Sequence, residues 1–525
     1  MRSKSIQRAA VLAMGLALLI PITLSAQEQD RYEMGRALPP LDPGKVLVNL
    51  TLQEAIDRAL ASNLDIQTMR LNPQIQRYSL RAARAAFTPT LSSTLGHNNS
   101  SSQSTSQLDG GVRTSTERQT FNTSISQTLP WYGGRLSTNF NNARTETNNA
   151  FSIRNPSYNS TLSFNFTQPL LSGLRTDNQR LSIRAQEIQG DITDLQLLSQ
   201  ITNISDQVRS SYWSLRAAIE QIEIQRRSLA QAEELLARNR LRVELGSMAE
   251  LQVVQAEAQV AAAEQSLLNA EVQWRNLELQ FKRLVVGGPE DPLLQQTLNP
   301  TDLPVIVDPV VDIQAAIETA LRQRTDVRQQ LQQREISELN LELTRDNSRP
   351  QLNLTAGYAL QGVGGDLFER PNLGGDPILV ERGGYVDGLN SIVGRDTPTW
   401  SLSLNFSYPI GTNASKANLE RARLQMRQTD LALKSQELAI VTEVTNAGLA
   451  VNDTYLQLQA ARRSREVSER SAAVELARFE VGASTNYEVA QAQNALTSAR
   501  LSELRAMINH VNAIAEFERV QRVGR

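Results

Sequence analysis

Two stretches decide how this chain is read: Arg240–Gln255, RLRVELGSMAELQVVQ, and Ala477–Gln491, ARFEVGASTNYEVAQ. Each joins one very long helical pattern to a second that must run back beside it. Gly246 and Gly482 stand where a helix closes on a left-handed residue, and Ser247 and Ser484 are expected to supply N-cap oxygens to the returning helices. The chain is therefore read outward from two helical hairpin tips.

Upstream of the first tip, Ile201, Val208, Leu215, Ile222, Leu229, Leu236 and Val243 recur at every seventh position. A heptad kept that long implies a left-handed coiled-coil seam. The pattern predicts a helix over 178–245, about 100 Å long at 1.5 Å per residue. A shorter return helix over 248–286 ends at Gly287-Gly288-Pro289. It reaches only about 57 Å, so the helix that precedes Phe87 is expected to stack on it. Before the second tip, Ala460, Val467, Val474 and Val481 keep the same step, predicting a helix over 413–481 and a return over 485–520.

The halves share an order. Leu50–Ile56 is matched by Val311–Ile317, and with the same offset Pro89 falls on Pro350 and Gly96 on Gly357. Thr161–Pro169 is echoed by Ser401–Pro409. This is an internal duplication, with a first repeat over 50–286, a Pro-punctuated linker over 287–310 and a second repeat over 311–520. The helices of the second repeat that precede its strands are placed at 311–348.

Between the short and long helices the period changes from 3.6 to 2. Alternation predicts strands near 91–98, 118–129, 135–147 and 159–169 in the first repeat, and near 351–360 and 399–409 in the second. Loops are expected at 98–117 and 149–158, with a Gly-rich insertion at 361–397 whose Gly362-x-Gly364-Gly365 resembles a fragment of a phosphate loop but opens no helix and is read as a flexible surface loop. One face is apolar and the other is Ser, Thr and Asn, as for a wetted lumen. Trp131, Tyr132 and Tyr158 lie at strand ends, where an aromatic girdle belongs.

Composition supports coiled coils and half-wet sheets rather than thick cores: of 525 residues only 5% are aromatic, and mean hydropathy is −0.34. A formal charge of −2 points to no nucleic-acid partner. The absence of cysteine excludes disulfides, thiolate metal sites and an N-terminal lipid-anchor cysteine. Arg2, Lys4 and Arg8, the apolar run Ala9–Ile20 and Leu24-Ser25-Ala26 read as a signal peptide over 1–26, followed by a polar arm over 27–49. His97 and His510 have no ligating company, and no nucleophile–base constellation is present, so neither a metal, a cofactor nor an enzyme is expected.

An open sheet cannot persist in a bilayer, because its edge N–H and C=O groups stay unpaired in hydrocarbon. The few strands of one chain cannot enclose a pore. Several copies must contribute strands to one barrel, with their long helices forming a tube beyond it. The expected class is an α+β membrane protein: a transmembrane β-barrel, with strands from each protomer, continuous with a tube of long coiled-coil helices beyond the membrane.

The duplicated order, the tips Val243-Glu-Leu-Gly246-Ser247 and Phe479-Glu-Val-Gly482-Ala-Ser484, and strands ending in Gln168-Pro169-Leu170 and Tyr408-Pro409-Ile410 resemble the TolC family of outer-membrane efflux proteins. The resemblance spans about 50–520. It implies a homotrimeric export channel, with an outer-membrane β-barrel continuous with a periplasmic α-helical coiled-coil barrel, docked to a periplasmic adaptor (membrane-fusion) protein of an inner-membrane pump or type I secretion system. It places the docking tips at Gly246, Ser247 and Met248 and at Gly482, Ala483 and Ser484. It places the periplasmic gate at Glu488 and Gln491, where the neutral Gln491 departs from the family's acidic pattern. Members usually give four strands per chain; six here predict either an eighteen-stranded trimeric barrel or a hairpin outside it. A periplasmic adaptor, with one hairpin flanked by β-domains, and a passive porin are the competing readings.

Overall fold

The computed structural model describes residues 35–521 except 42, 105–110, 307, 309, 373–374 and 412. The expected signal peptide and the start of the arm lie outside the described residues. The chain enters through β1 (Leu47–Leu50), α1 (Leu52–Ser62) and α2 (Leu64–Arg84). Four strands follow: β2 (Thr90–Gln103), β3 (Arg113–Thr128), β4 (Arg135–Thr147) and β5 (Ser157–Pro169). The first hairpin is α3 (Asn178–Glu244) with α4 (Glu250–Val285).

The second half runs β6 (Thr297–Pro300), α5 (Ile313–Gln323), α6 (Thr325–Asn347), β7 (Gln351–Gly364), β8 (Leu367–Glu369), β9 (Ile378–Glu381), α7 (Tyr385–Gly394) and β10 (Pro398–Ser407). It closes with α8 (Ala414–Glu480) and α9 (Asn486–Gln521). The duplication extends to element lengths: α3 and α8 each have 67 residues, and α4 and α9 each have 36.

Six strands form one open antiparallel sheet in the order β10-β7-β5-β4-β3-β2. The additional pair β3–β4 is therefore inserted within the sheet, not hung outside it. The expected loop at 98–117 is shorter than the composition implied, because Ser and Thr of β2 and β3 face one another in register. Ser92 and Ser124 hydroxyls lie 2.7 Å apart, and those of Ser102 and Thr114 3.0 Å apart. Cross-strand hydroxyl pairs of this kind stabilise a ladder without apolar residues. Gly96 and Gly357, matched in sequence, are matched in space: a Cβ on either would lie 2.7 Å from Thr120 Oγ1 or Ser401 Oγ.

The helices form one layer. Near the sheet its order is α2, α3, α6, α8; towards the tips it is α4, α3, α9, α8. The expected stacking of α2 above α4 is thus present, and Pro73 sits inside α2. The heptad of α3 fills the middle of the layer, with Val208, Leu215 and Ile222 fully buried. No helix among the described residues is long and apolar enough to cross a membrane.

The changeover is bound by a belt of irregular chain. The linker is not featureless: its β6 pairs in parallel with β1 of the arm. Tyr212 of α3 donates to Leu50 O at 3.0 Å and accepts from Asp302 N at 3.0 Å. Burial pushes its hydroxyl up to about 12. Arg216 donates to Pro300 O at 3.0 Å and to Glu220 Oε1 at 2.5 Å, and Glu220 also accepts from Gly35 N at 2.8 Å. Removing one member of such a buried pair strands the other, a loss of about 3–5 kcal/mol.

Asp206, between Ile201 and Val208 of the α3 heptad, is raised from 3.8 to about 6, first by burial; Arg209 and Arg519 pull it down, and Glu516 and Glu518 push it up. The folded chain holds this proton more tightly than the unfolded chain, so stability falls as pH rises from about 4 through 6. Asp206→Asn should flatten the melting temperature over pH 4.5–7.5 and raise it at pH 7. An unchanged pH slope would show that Asp206 does not control it.

Candidate functional site

Both tips close in the same way. Gly246 and Gly482 have φ of +70° and +77°, the left-handed region that favours glycine. At the first, Gly246 N donates to Val243 O at 2.9 Å and Ser247 N to Arg242 O at 2.8 Å. At the second, Gly482 N donates to Phe479 O at 3.1 Å and Ala483 N to Arg478 O at 2.8 Å. These paired bonds satisfy the last carbonyls of α3 and α8.

The serines do not cap the return helices as expected. Ser247 Oγ donates backwards to Arg242 O at 2.9 Å, and the N-cap of α4 is Ala249, which has no oxygen to offer. Ser484 Oγ bonds Glu475 and lies 3.0 Å from Glu488 Oε2. Thr485 does the capping: its Oγ1 accepts from Glu488 N at 3.3 Å, while Glu488 Oε2 accepts from Thr485 N at 2.8 Å. The N–H of Thr485 and the hydroxyls of Ser484 and Thr485 hold the Glu488 carboxyl below its ordinary range.

The tips stand level and are tied together. Arg242 lies over the Phe479 ring at 4.5 Å and donates to Phe479 O at 3.3 Å. Arg238 reaches Glu480 at 3.0 Å. Inside, Asn239 Nδ2 donates to Asn486 Oδ1 at 2.9 Å, with both residues buried. A single buried amide pair is a recognised device for fixing helical register. Met248 packs on Leu235, Phe479 and Val489, so it seals the end of the layer. Gly246, Ser247, Gly482, Ala483, Glu488 and Gln491 are exposed, and Ser484 is half-buried.

The second feature was not read from the sequence. On α8, Leu424, Leu431, Leu438, Leu449, Leu456, Val467 and Val474 are all exposed. They lie opposite the buried stripe Ile440, Val444, Val451 and Leu458. At the other edge, Leu64, Leu71 and Tyr78 of α2 and Val254, Leu268, Val272 and Leu279 of α4 are exposed too. Patches this long mark an interaction surface.

The two edges match level by level. Val254 is eight residues past Gly246, and Val474 eight before Gly482; Val272 and Leu456 stand equally far from their tips, as do Leu279 and Leu449. Nearer the sheet, Leu64, Leu71 and Tyr78 of α2 and Leu438, Leu431 and Leu424 of α8 each recur at seven-residue steps. The sheet ends likewise on two open strands, β2 and β10. Leu91, Leu95, Trp400, Leu402, Leu404 and Phe406 on them are exposed. Helical layer and sheet are therefore unfinished on the same two sides, with complementary rather than identical edges. Heterologous contacts of this kind generate a ring when the rotation between copies closes.

An open, duplicated protomer of this form defines a class: outer-membrane channels whose β-barrel, built of strands from each protomer, continues into an α-helical barrel. The sequence matches the outer membrane efflux protein family over residues 135–285 and 316–518, about two thirds of the chain, and the chain belongs to that family. No curated protein matches it. Among solved structures it is similar to the outer-membrane channel OprN, at 16% identity, TM-score 0.64 and 90% coverage of both chains. It is also similar to the CmeC outer membrane channel of Campylobacter jejuni, at 15% identity and TM-score 0.63 over 90% of this chain and 86% of that one. The outer membrane protein VceC of Vibrio cholerae gives 13% identity and TM-score 0.62 over 90% and 96%. Two hairpins beneath one continuous sheet do not fit an adaptor with a single hairpin between β-domains.

Proposed function

We propose that three copies close into an outer-membrane export duct, the exit of a tripartite efflux or type I secretion system that carries small molecules or proteins out of the cell. The observation that carries this reading is the level-by-level match of the two apolar helical edges. A ring built on that match pairs β2 of one chain with β10 of the next, so helices and strands close together. Six strands from each of three chains give eighteen. Barrel diameter grows roughly linearly with strand number, so this bore is about half as wide again as that of a twelve-stranded barrel.

The division into signal peptide 1–26, arm 27–49, repeats 50–286 and 311–520 and an equatorial linker 287–310 belongs to the same proposal. Six tips form the periplasmic mouth, and Gly246-Ser247 and Gly482–Ser484 dock an adaptor that links the duct to an inner-membrane pump. Met248 supports that surface from below. Glu488 and Gln491 stand where the entrance narrows; with Glu488 engaged in capping α9 and Gln491 neutral, closure rests on packing between neighbouring coils rather than on a ring of ion pairs. Deleting the gene should increase retention of dyes and sensitivity to drugs, bile salts or metals, with rescue by the intact gene. Unchanged retention and sensitivity across the panel, with secretion of proteins also unaffected, would refute an export role.

A further inference from the structure

Among its described residues, the insertion at 361–397 is built of β8, β9 and α7, and the glycines expected as a flexible loop, Gly362 and Gly364, end strand β7. Its α7 lies along β7 on the apolar face of the sheet, at the end far from the helices. The approach is backbone on backbone: a Cβ on Gly362 or Gly364 would lie 1.8 Å from Gly388 O or 2.0 Å from Gly384 O. Beneath it Ser160 and Asn142 are buried, and Tyr385 donates to Asn142 Oδ1 at 3.0 Å. Ser160 is two residues beyond Leu162 on the same strand face, so α7 starts where the apolar band stops. The outward side of α7 is mixed, with Val386 and Val393 exposed beside Asp387 and Asn390.

Beside α7 is a hollow of about 820 Å³, floored by Leu95 and Phe121 and rimmed by His97, Arg144, Tyr158 and Tyr385. The two tyrosine rings meet edge-on at 6.2 Å. Its size is that of a small-molecule site, roughly 300–1,000 Å³. Its floor continues the apolar band through Leu95 and Phe121, both exposed, and its rim carries the aromatic and polar groups of a headgroup boundary.

We infer that this hollow holds one acyl chain of an outer-leaflet lipid, with the lipid's polar head at the Arg144–Tyr158 rim. The inference rests on the reading that the apolar face meets the bilayer. The occupant follows from continuity: an aliphatic chain can pass from the band into the hollow without crossing water, while its polar head stays at the rim.

Gly362→Val, which displaces α7, and Phe121→Asp, which charges the floor, test it. Native mass spectrometry of protein extracted from outer membranes in mild detergent should show one retained lipid per wild-type chain, and at least a tenfold lower occupancy in either variant. Trp400, on the same face within the band, should be quenched by brominated phosphatidylcholine in all three proteins. Equal retention in wild type and variants, or none in wild type, overturns the lipid site. Loss of Trp400 quenching in the wild type would instead overturn the bilayer-facing assignment.

Discussion

Val467→Asp combined with Val474→Asp abolishes the ring while leaving each hairpin folded. Both side chains are more than half exposed in the protomer, at 57% and 58%, and neither touches the buried stripe of α8, so the single chain loses little. In the ring each valine is buried against the α4 edge of the next chain. Burying a valine contributes about 1.5–3 kcal/mol, and an aspartate there brings an unpaired charge whose desolvation costs several kcal/mol more. Both changes recur at every interface of a closed ring, so the deficit is multiplied. The expected result is complete loss of the heat-modifiable oligomer from the outer membrane, and of export with it. Val467→Leu, which keeps the contact apolar, should retain both. An intact oligomer in the double aspartate variant would remove the α8 stripe from the interface.

The second large effect is expected at the mouth. Gly246→Asp and Gly482→Asp each place a side chain at positive φ, costing roughly 1–2 kcal/mol. No atom lies within 4 Å of either Cβ position, so folding and ring formation survive. The proposed docking surface is expected not to survive, because either substitution puts three charged groups, and the two together six, at the trimer's mouth. Export should fall about tenfold or more, the equivalent of 1.4 kcal/mol or more of lost binding, while the amount of protein in the outer membrane is unchanged. Dye efflux and co-purification with the adaptor measure the two halves of this prediction. If export survives both substitutions, the tips are turns and nothing more.

The long hairpins and the duplication were legible in the sequence because heptads and tip glycines are local signals repeated at fixed spacing. Which way a heptad faces was not legible. Val208, Leu215 and Ile222 of α3 fill the centre of the layer, whereas Val467 and Val474 of α8, with the same step, point out of the protomer. A seven-residue repeat fixes that a seam exists, not whether the partner is the same chain or the next.

The caps show a second limit. Thr485-Asn-Tyr-Glu488 is a readable capping box, but Ser484 stands directly before it and competes for the role. Only the bonds between Thr485 and Glu488 decide between them. The α7 insertion escaped because its packing depends on what is missing from Gly362, Gly364 and Gly388. A run of glycines reads as a loop until a second backbone is seen lying against it. The extension of β2 and β3 past the expected loop has a similar cause, since their ladders are held by Ser and Thr pairs that composition assigns to turns.

The level-by-level match of α4 with α8 is the central claim, and engineered cysteines measure it most directly because the chain has none of its own. Val254→Cys and Val474→Cys in one chain lie at opposite edges of the protomer, so an oxidised link between them must join two chains. The account predicts a ladder of cross-linked dimer and trimer that ends at three. Pairing Val254→Cys with Leu449→Cys, offset by about 38 Å along the helix, should give monomer only. A ladder that continues past three, or equal cross-linking by the offset pair, would contradict the closed ring.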